Sequence, residues 1–174
     1  MTEDVLKDIL KEDLKAIFVG SAASHTSDAK KHYYANPQNF FWKLLHKSGL
    51  IDRQLSPNED YLLLGYGFGL TDVVKTEHGN DSTLSQELFE AGREPLAAKI
   101  NRFNPDVVCF TSKNAYRAYF GKKAKSYGLQ EGKIGKSKVF IVPSPSPQVW
   151  SGRLLDGKVR LNWYQEFAEF IKSH

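Results

Sequence analysis

The chain has 174 residues, 41% hydrophobic and 13% aromatic, with a formal net charge of +4. That length is enough to bury roughly 70% of the unfolded surface in a single domain spanning 1–174 without disulfides or metals. One cysteine, Cys109, excludes an internal disulfide framework and a cysteine-built zinc cluster, and the modest positive charge permits a polyanionic partner without demanding one.

In chain order, residues 3–15 place Val5, Ile9 and Leu10 at helical spacing and predict a short leading helix. This charged terminus lacks the apolar core of a signal peptide, and no run approaches the ~20 apolar residues of a membrane span. The expected setting is therefore cytoplasmic, with access to the chromosome. Ala16 to Val19 reads as a buried strand, broken by Gly20 and a loop of small residues, Ser21-Ala22-Ala23-Ser24, where a ligand could approach the backbone closely. A basic, aromatic segment, Lys30 to Tyr34, precedes a helix over Phe40 to Gly49 that ends on a glycine cap. Pro57 to Asp60 marks a turn. Gly69 to Val74 reads as a strand with one embedded carboxylate, Asp72, and His78 to Ser82 as an exposed loop.

Ser85 to Phe103 predicts a long helix, stopped by Pro105, and Asp106 to Thr111 another buried strand holding Cys109 as packing. A helix begins at Ser112. Lys122 to Lys138 is lysine-rich, with Glu131 its only acid, and reads as a solvated basic face. Val139 to Val142 is a strand broken by Pro143-Ser144-Pro145-Ser146-Pro147, and Leu161 to Ser173 a closing amphipathic helix. Short buried strands alternating with helices predict a three-layer α/β/α sandwich around a mainly parallel central sheet. In such sheets ligands bind beyond the carboxyl ends of the strands, which singles out the segment from Gly20 to Lys43. Its interleaved Lys, His and Tyr suit phosphates and bases.

The motifs carry a resemblance. Gly20-Ser21-Ala22-Ala23-Ser24 stands where the mismatch-specific uracil-DNA glycosylase/thymine-DNA glycosylase family has its first motif, GINPG. Ser144-Pro145-Ser146-Pro147 stands where it has a second, NPSG or a serine-rich variant. Asn36-Pro37-x-Asn39-x-Phe41-Trp42-Lys43 resembles the start of a family helix, and Gly69 to Val74 the G-x-T-x-L-V segment. The similarity runs over about residues 14–170 and implies a uracil-DNA glycosylase-like fold. It also implies that the protein flips uracil out of DNA, preferentially from G·U mismatches, and hydrolyses its N-glycosidic bond to start base-excision repair. The partner would be double-stranded DNA bearing a deaminated or mismatched base, the protein a monomer, and no cofactor or metal is implied.

One departure matters. The first-motif asparagine that positions the attacking water in the family is replaced here by Ala22, and a methyl group does not orient water. Asp72, a carboxylate in an apolar strand where charge is costly, is the candidate catalytic residue in its stead. By resemblance, Tyr34 would stack on the extruded base and the backbone of Gly20 and Ser21 would read its carbonyls. Asn39 would brace the helix start, and Ser144 and Ser146 would hold phosphates. Pro147, Gln148, Val149 and Trp150 occupy the places of duplex-wedging side chains, with Arg153 and Lys158 as phosphate contacts and His32 a further one.

His25 and His32 lack a third metal ligand nearby. Gly65-Tyr66-Gly67-Phe68-Gly69 lacks the dinucleotide pattern, and no G-x-S-x-G elbow is present. Two further readings stay open. The Ala22 substitution fits a lesion-binding protein with little catalysis, and pocket shape could select hypoxanthine or xanthine instead of uracil.

Overall fold

The computed structural model describes residues 3–147 and 158–173. Five strands form one sheet in the order β2-β1-β3-β5-β4: β1 Ala16–Ala22, β2 Phe68–Val74, β3 Val107–Phe110, β4 Gly128–Ile134 and β5 Ser137–Ile141. β1, β2, β3 and β5 are parallel, while β4 pairs antiparallel with β5 as a hairpin. The helices are α1 His25–Lys30, α2 Phe41–Lys47, α3 Gln86–Phe103, α4 Lys113–Phe120 and α5 Lys158–Lys172, with a 3-10 helix over Pro57–Tyr66.

The period-two alternation of buried strands divides the core between the two sheet faces. Phe18, Phe68 and Leu70 meet Phe41, Trp42, Leu45, Tyr164 and Phe167 of α2 and α5 on one face. Ile17, Val19 and Val73 meet Phe89, Leu96, Ile100 and Ala115 of α3 and α4 on the other. This is the expected three-layer sandwich. Cys109 is fully buried, as expected of packing. Among the described residues no helix is long and apolar enough to cross a membrane.

The N-terminal segment is not the expected helix. It runs extended along the outer edge of β2: Ile9 exchanges both backbone hydrogen bonds with Leu70 (3.0 and 2.8 Å), and Val5 donates to the Lys75 carbonyl at 2.7 Å. The open edge of β2 offers unpaired backbone groups that a lone amphipathic helix would leave wet. Gly69 lets the cover approach, because a Cβ there would lie 2.7 Å from the Ile9 carbonyl oxygen. Two other readings also change. The turn at Pro57 continues as the 3-10 helix, opened by a Ser56–Glu59 capping box. The lysine-rich stretch keeps most of its lysines exposed but contains β4, whose Ile134 is buried.

The cover segment also brings Asp8 onto β2. Its carboxylate accepts from Thr71 Oγ1 at 2.6 Å and pairs with Lys75 at 3.0 Å and Lys99 at 2.6 Å. Burial pushes the Asp8 carboxyl up, but Lys75, Lys99 and Thr71 outweigh it and hold the group below its ordinary value. Asp8→Ala strands two lysines and is expected to cost about 2–3 kcal/mol by urea unfolding at neutral pH. Because the folded carboxyl titrates lower than the unfolded one, that difference is present above the unfolded pKa and disappears as the solution is acidified.

Candidate active site

Connections from β1 and β3 leave the sheet in opposite directions, β1 towards β2 and β3 towards β5. That makes the carboxyl ends of these adjacent strands the switch point where open α/β sheets form a crevice. A cavity of about 610 Å³ lies there. Its walls, in sheet order, are His78–Asp81 and Thr83 after β2, the end of β1 with the residues after it (20–27, Tyr33 and Tyr34), Thr111 with Ser112 after β3, and 144–147 after β5.

Asp72 is at the carboxyl end of β2, in register with Gly20 of β1, so both face the same side of the sheet. Its side chain lines the cavity, with the residue only 5% exposed. No group among the described residues donates a hydrogen bond to it or pairs with it. Burial pushes its carboxyl up to about 6; Lys75 and Lys99 pull the other way, and Asp8 adds to the rise. Gly20 makes the room. A Cβ on it would lie 2.6 Å from Asp72 Oδ1, 3.3 Å from the Tyr34 hydroxyl and 3.7 Å from Thr111 Oγ1, so three oxygens converge over one glycine.

Tyr34 lies in the left-handed region, φ 51°, which is uncommon for a bulky residue and costs of order 1–2 kcal/mol. The strain is held by hydrogen bonds on either side. The Tyr33 N–H donates to Asp60 at 3.0 Å and the Ala35 N–H to Ser27 Oγ at 3.0 Å. The Tyr34 ring stacks on Phe41, with centroids 3.9 Å apart and planes 19° off parallel. Its hydroxyl bonds Thr111 Oγ1 at 3.1 Å, and Thr111 donates on to the Val19 carbonyl at 3.3 Å. Burial pushes the phenol well up, so it stays a neutral donor.

Gly20, Ser21, Ala22, Asn39, Ser144, Ser146 and Pro147 all line the same cavity. The Ala22 methyl offers a water nothing to bond. Asn39 Oδ1 accepts from the Phe41 N–H at 2.8 Å and so braces the start of α2, as expected. Ser144 Oγ accepts from the Ser146 N–H at 3.2 Å, which ties the proline-rich loop to itself. His32 Nδ1 lies 3.2 Å from the buried Asp60 carboxylate, a partner the local sequence does not reveal. Gln148, Val149, Trp150 and Arg153 lie outside the described residues.

Three participants were not singled out from the sequence. Thr111 directly follows β3, and its place just past a strand's carboxyl end was the available signal. Lys75, beside Asp72 in sequence, bonds Asp8 and, at 2.9 Å, the Tyr33 hydroxyl. His78, from the loop after β2, meets His25 across the mouth.

The family model for the uracil DNA glycosylase superfamily matches residues 8–168. Among solved structures, the solution NMR structure of a Methanosarcina acetivorans protein proposed to be a uracil DNA glycosylase is similar, with a TM-score of 0.59 and 20% sequence identity over 96% of each chain. At that identity the likeness speaks for the fold. The family match runs from the segment covering β2 into α5 and takes in the cavity with its buried carboxylate, so the chain belongs to the uracil DNA glycosylase superfamily, enzymes that hydrolyse the N-glycosidic bond of DNA.

Proposed function

We propose that the protein is a monofunctional glycosylase of the mismatch-specific branch, excising uracil from duplex DNA with a preference for G·U, with Asp72 activating the water. The observation carrying this reading is the unpartnered, buried Asp72 carboxylate that faces the cavity over Gly20. The nucleotide is flipped into the cavity, which costs least where pairing is already weak. Tyr34 stacks on the base, and backbone groups of Gly20 and Ser21 bond its carbonyls. As the C1′–N1 bond breaks, its electron pair leaves with the uracil anion and positive charge builds on the sugar. The Asp72 carboxylate stabilises that charge and takes a proton from the water whose oxygen bonds to C1′. The described cavity wall includes no lysine or arginine, so no amine stands ready to attack. The product is an abasic site in an uncut strand.

Single-turnover excision on G·U, A·U, G·T and hypoxanthine duplexes tests this. Release of uracil from G·U, fastest of the four, bears the reading out. Tight binding without release on any duplex would instead favour the lesion-binding reading that Ala22 suggests, and faster hypoxanthine release would move the specificity.

The reaction needs Asp72 ionised, so the rate should rise with pH through about 6. Lys75 is the strongest of the influences that lower this carboxyl. Lys75→Met is therefore expected to move the half-maximal point of the pH–rate profile upward, measured as single-turnover rates across the acid limb.

A further inference from the structure

We propose that His25, oriented by His78 and Asp28, is a clamp for one DNA phosphodiester on the lip of the cavity opposite the Ser144–Pro147 loop; this rests on the reading of duplex DNA as substrate. His78 Nδ1 lies 2.6 Å from Asp28 Oδ2, and its Nε2 lies 3.4 Å from His25 Nδ1. A carboxylate only accepts, so His78 carries its proton on Nδ1. With His78 neutral, its Nε2 accepts, and His25 must donate from Nδ1. That leaves His25 Nε2 as the one imidazole nitrogen of the pair not engaged.

A phosphate oxygen also only accepts. His25 engages one as imidazolium, with Nδ1–H on His78 and Nε2–H on the phosphate, and the Asp28 carboxylate stands behind the charge through His78. The charged groups around the pair are Asp28 and Lys31 (2.5 Å from Asp28) on the α1 side and Asp81 in the loop after β2; Asp81 accepts from Asn114 at 3.2 Å. His78 uses both nitrogens within the chain, and no metal-holding group of His, Cys, Asp or Glu occurs among the described residues. The geometry is that of a relay.

Holding the loop in place does not require the histidines. The Gly79 N–H donates to the Ala23 carbonyl at 2.9 Å, and the Asn80 side chain accepts from Ser82 and Thr83. Both histidines are exposed at the cavity mouth. His78 follows β2 and the Ser144–Pro147 loop follows β5, so the two sit at opposite ends of the row of loops. A strand whose nucleotide is drawn into the cavity between them passes both lips. Phosphate contacts of this kind fix register without reading sequence.

The test is fluorescence-anisotropy binding to a duplex carrying a reduced abasic analogue opposite guanine, at about pH 6 and about pH 8, the range in which imidazole changes charge. Wild type is expected to bind more tightly at the lower pH. His25→Gln should lose about tenfold there, the worth of one charged hydrogen bond, and flatten the pH dependence while its thermal unfolding is unchanged. Asp28→Asn should move in the same direction. A neutral methylphosphonate at one position flanking the abasic analogue should erase the gap between wild type and His25→Gln. Equal binding and equal pH slope for the two proteins, or a gap that survives methylphosphonate at every flanking position, overturns the clamp. If wild type binds with this signature but releases no base, the clamp stands and the excision reading alone falls. If it binds no duplex, both fall.

Discussion

Replacing Asp72 with asparagine is expected to slow single-turnover uracil excision by about 10²–10⁴-fold while making the protein more stable at neutral pH. The two effects have one source. The folded carboxyl is pushed up to about 6 from the ordinary 3.8, chiefly by burial. A carboxyl raised on folding binds a proton more readily in the native state. Its contribution therefore favours folding below the unfolded value and is lost as pH climbs through about 6. At pH 7 the ionised group costs up to about 3 kcal/mol, taking each pKa unit as about 1.4 kcal/mol. Asparagine keeps the shape and removes the charge, so the gain should appear in urea unfolding at pH 7 and vanish near pH 4. Nothing in the cover of β2 or in the core uses the Asp72 oxygens, so the fold has no need of the charge. A slow, more stable variant fits a carboxylate kept for chemistry. A variant equally active, or less stable at both pH values, would return Asp72 to a structural role and leave the water held by another group.

Much of this was legible in the sequence, for identifiable reasons. β1, β2 and β3 are buried on both faces and so read as short apolar runs, and α3 carries its apolar stripe over eighteen residues between a Ser85 cap and a left-handed Asn104. The N-terminal segment misled because Val5, Ile9 and Leu10 fit a helix locally, whereas the open edge of β2 decides their conformation. α1 has only six residues, too few for a periodic signal. At the site, Gly20 and Asp72 stood out separately. Their register partnership belongs to the sheet, and a linear reading does not contain it. The same holds for His25 and His78, which lie 53 positions apart, and for Tyr34, whose positive φ is imposed by Asp60 and Ser27 on its neighbours. The motif that departs most, with Ala22 in place of asparagine, is the one whose glycine makes room for the buried Asp72 carboxylate.

That room gives the second large effect. Gly20→Ala is expected to reduce excision by at least about 10²-fold, approaching the loss of general-base catalysis itself. Its φ is not positive, so the backbone tolerates alanine, and the damage comes from the side chain. The new Cβ would lie 2.6 Å from Asp72 Oδ1, inside any real carbon–oxygen contact, and 3.3 Å from the Tyr34 hydroxyl. The short aspartate side chain escapes only by rotating away from the cavity or by pushing β1 and β2 apart. The first abolishes water activation, and the second weakens the pairing at Gly20 and Asp72. The double variant separates these from an unrelated defect. If Gly20→Ala acts by displacing the carboxylate, then adding it to Asp72→Asn removes little more activity, because residues that act as a unit give strongly non-additive losses. Losses that multiply would mean that Gly20 serves excision by another route, through its backbone contact to the base, and that the carboxylate tolerates the methyl. The measurement is the single-turnover rate on G·U duplex for the four proteins of the cycle at saturating enzyme, with circular dichroism confirming that each is folded.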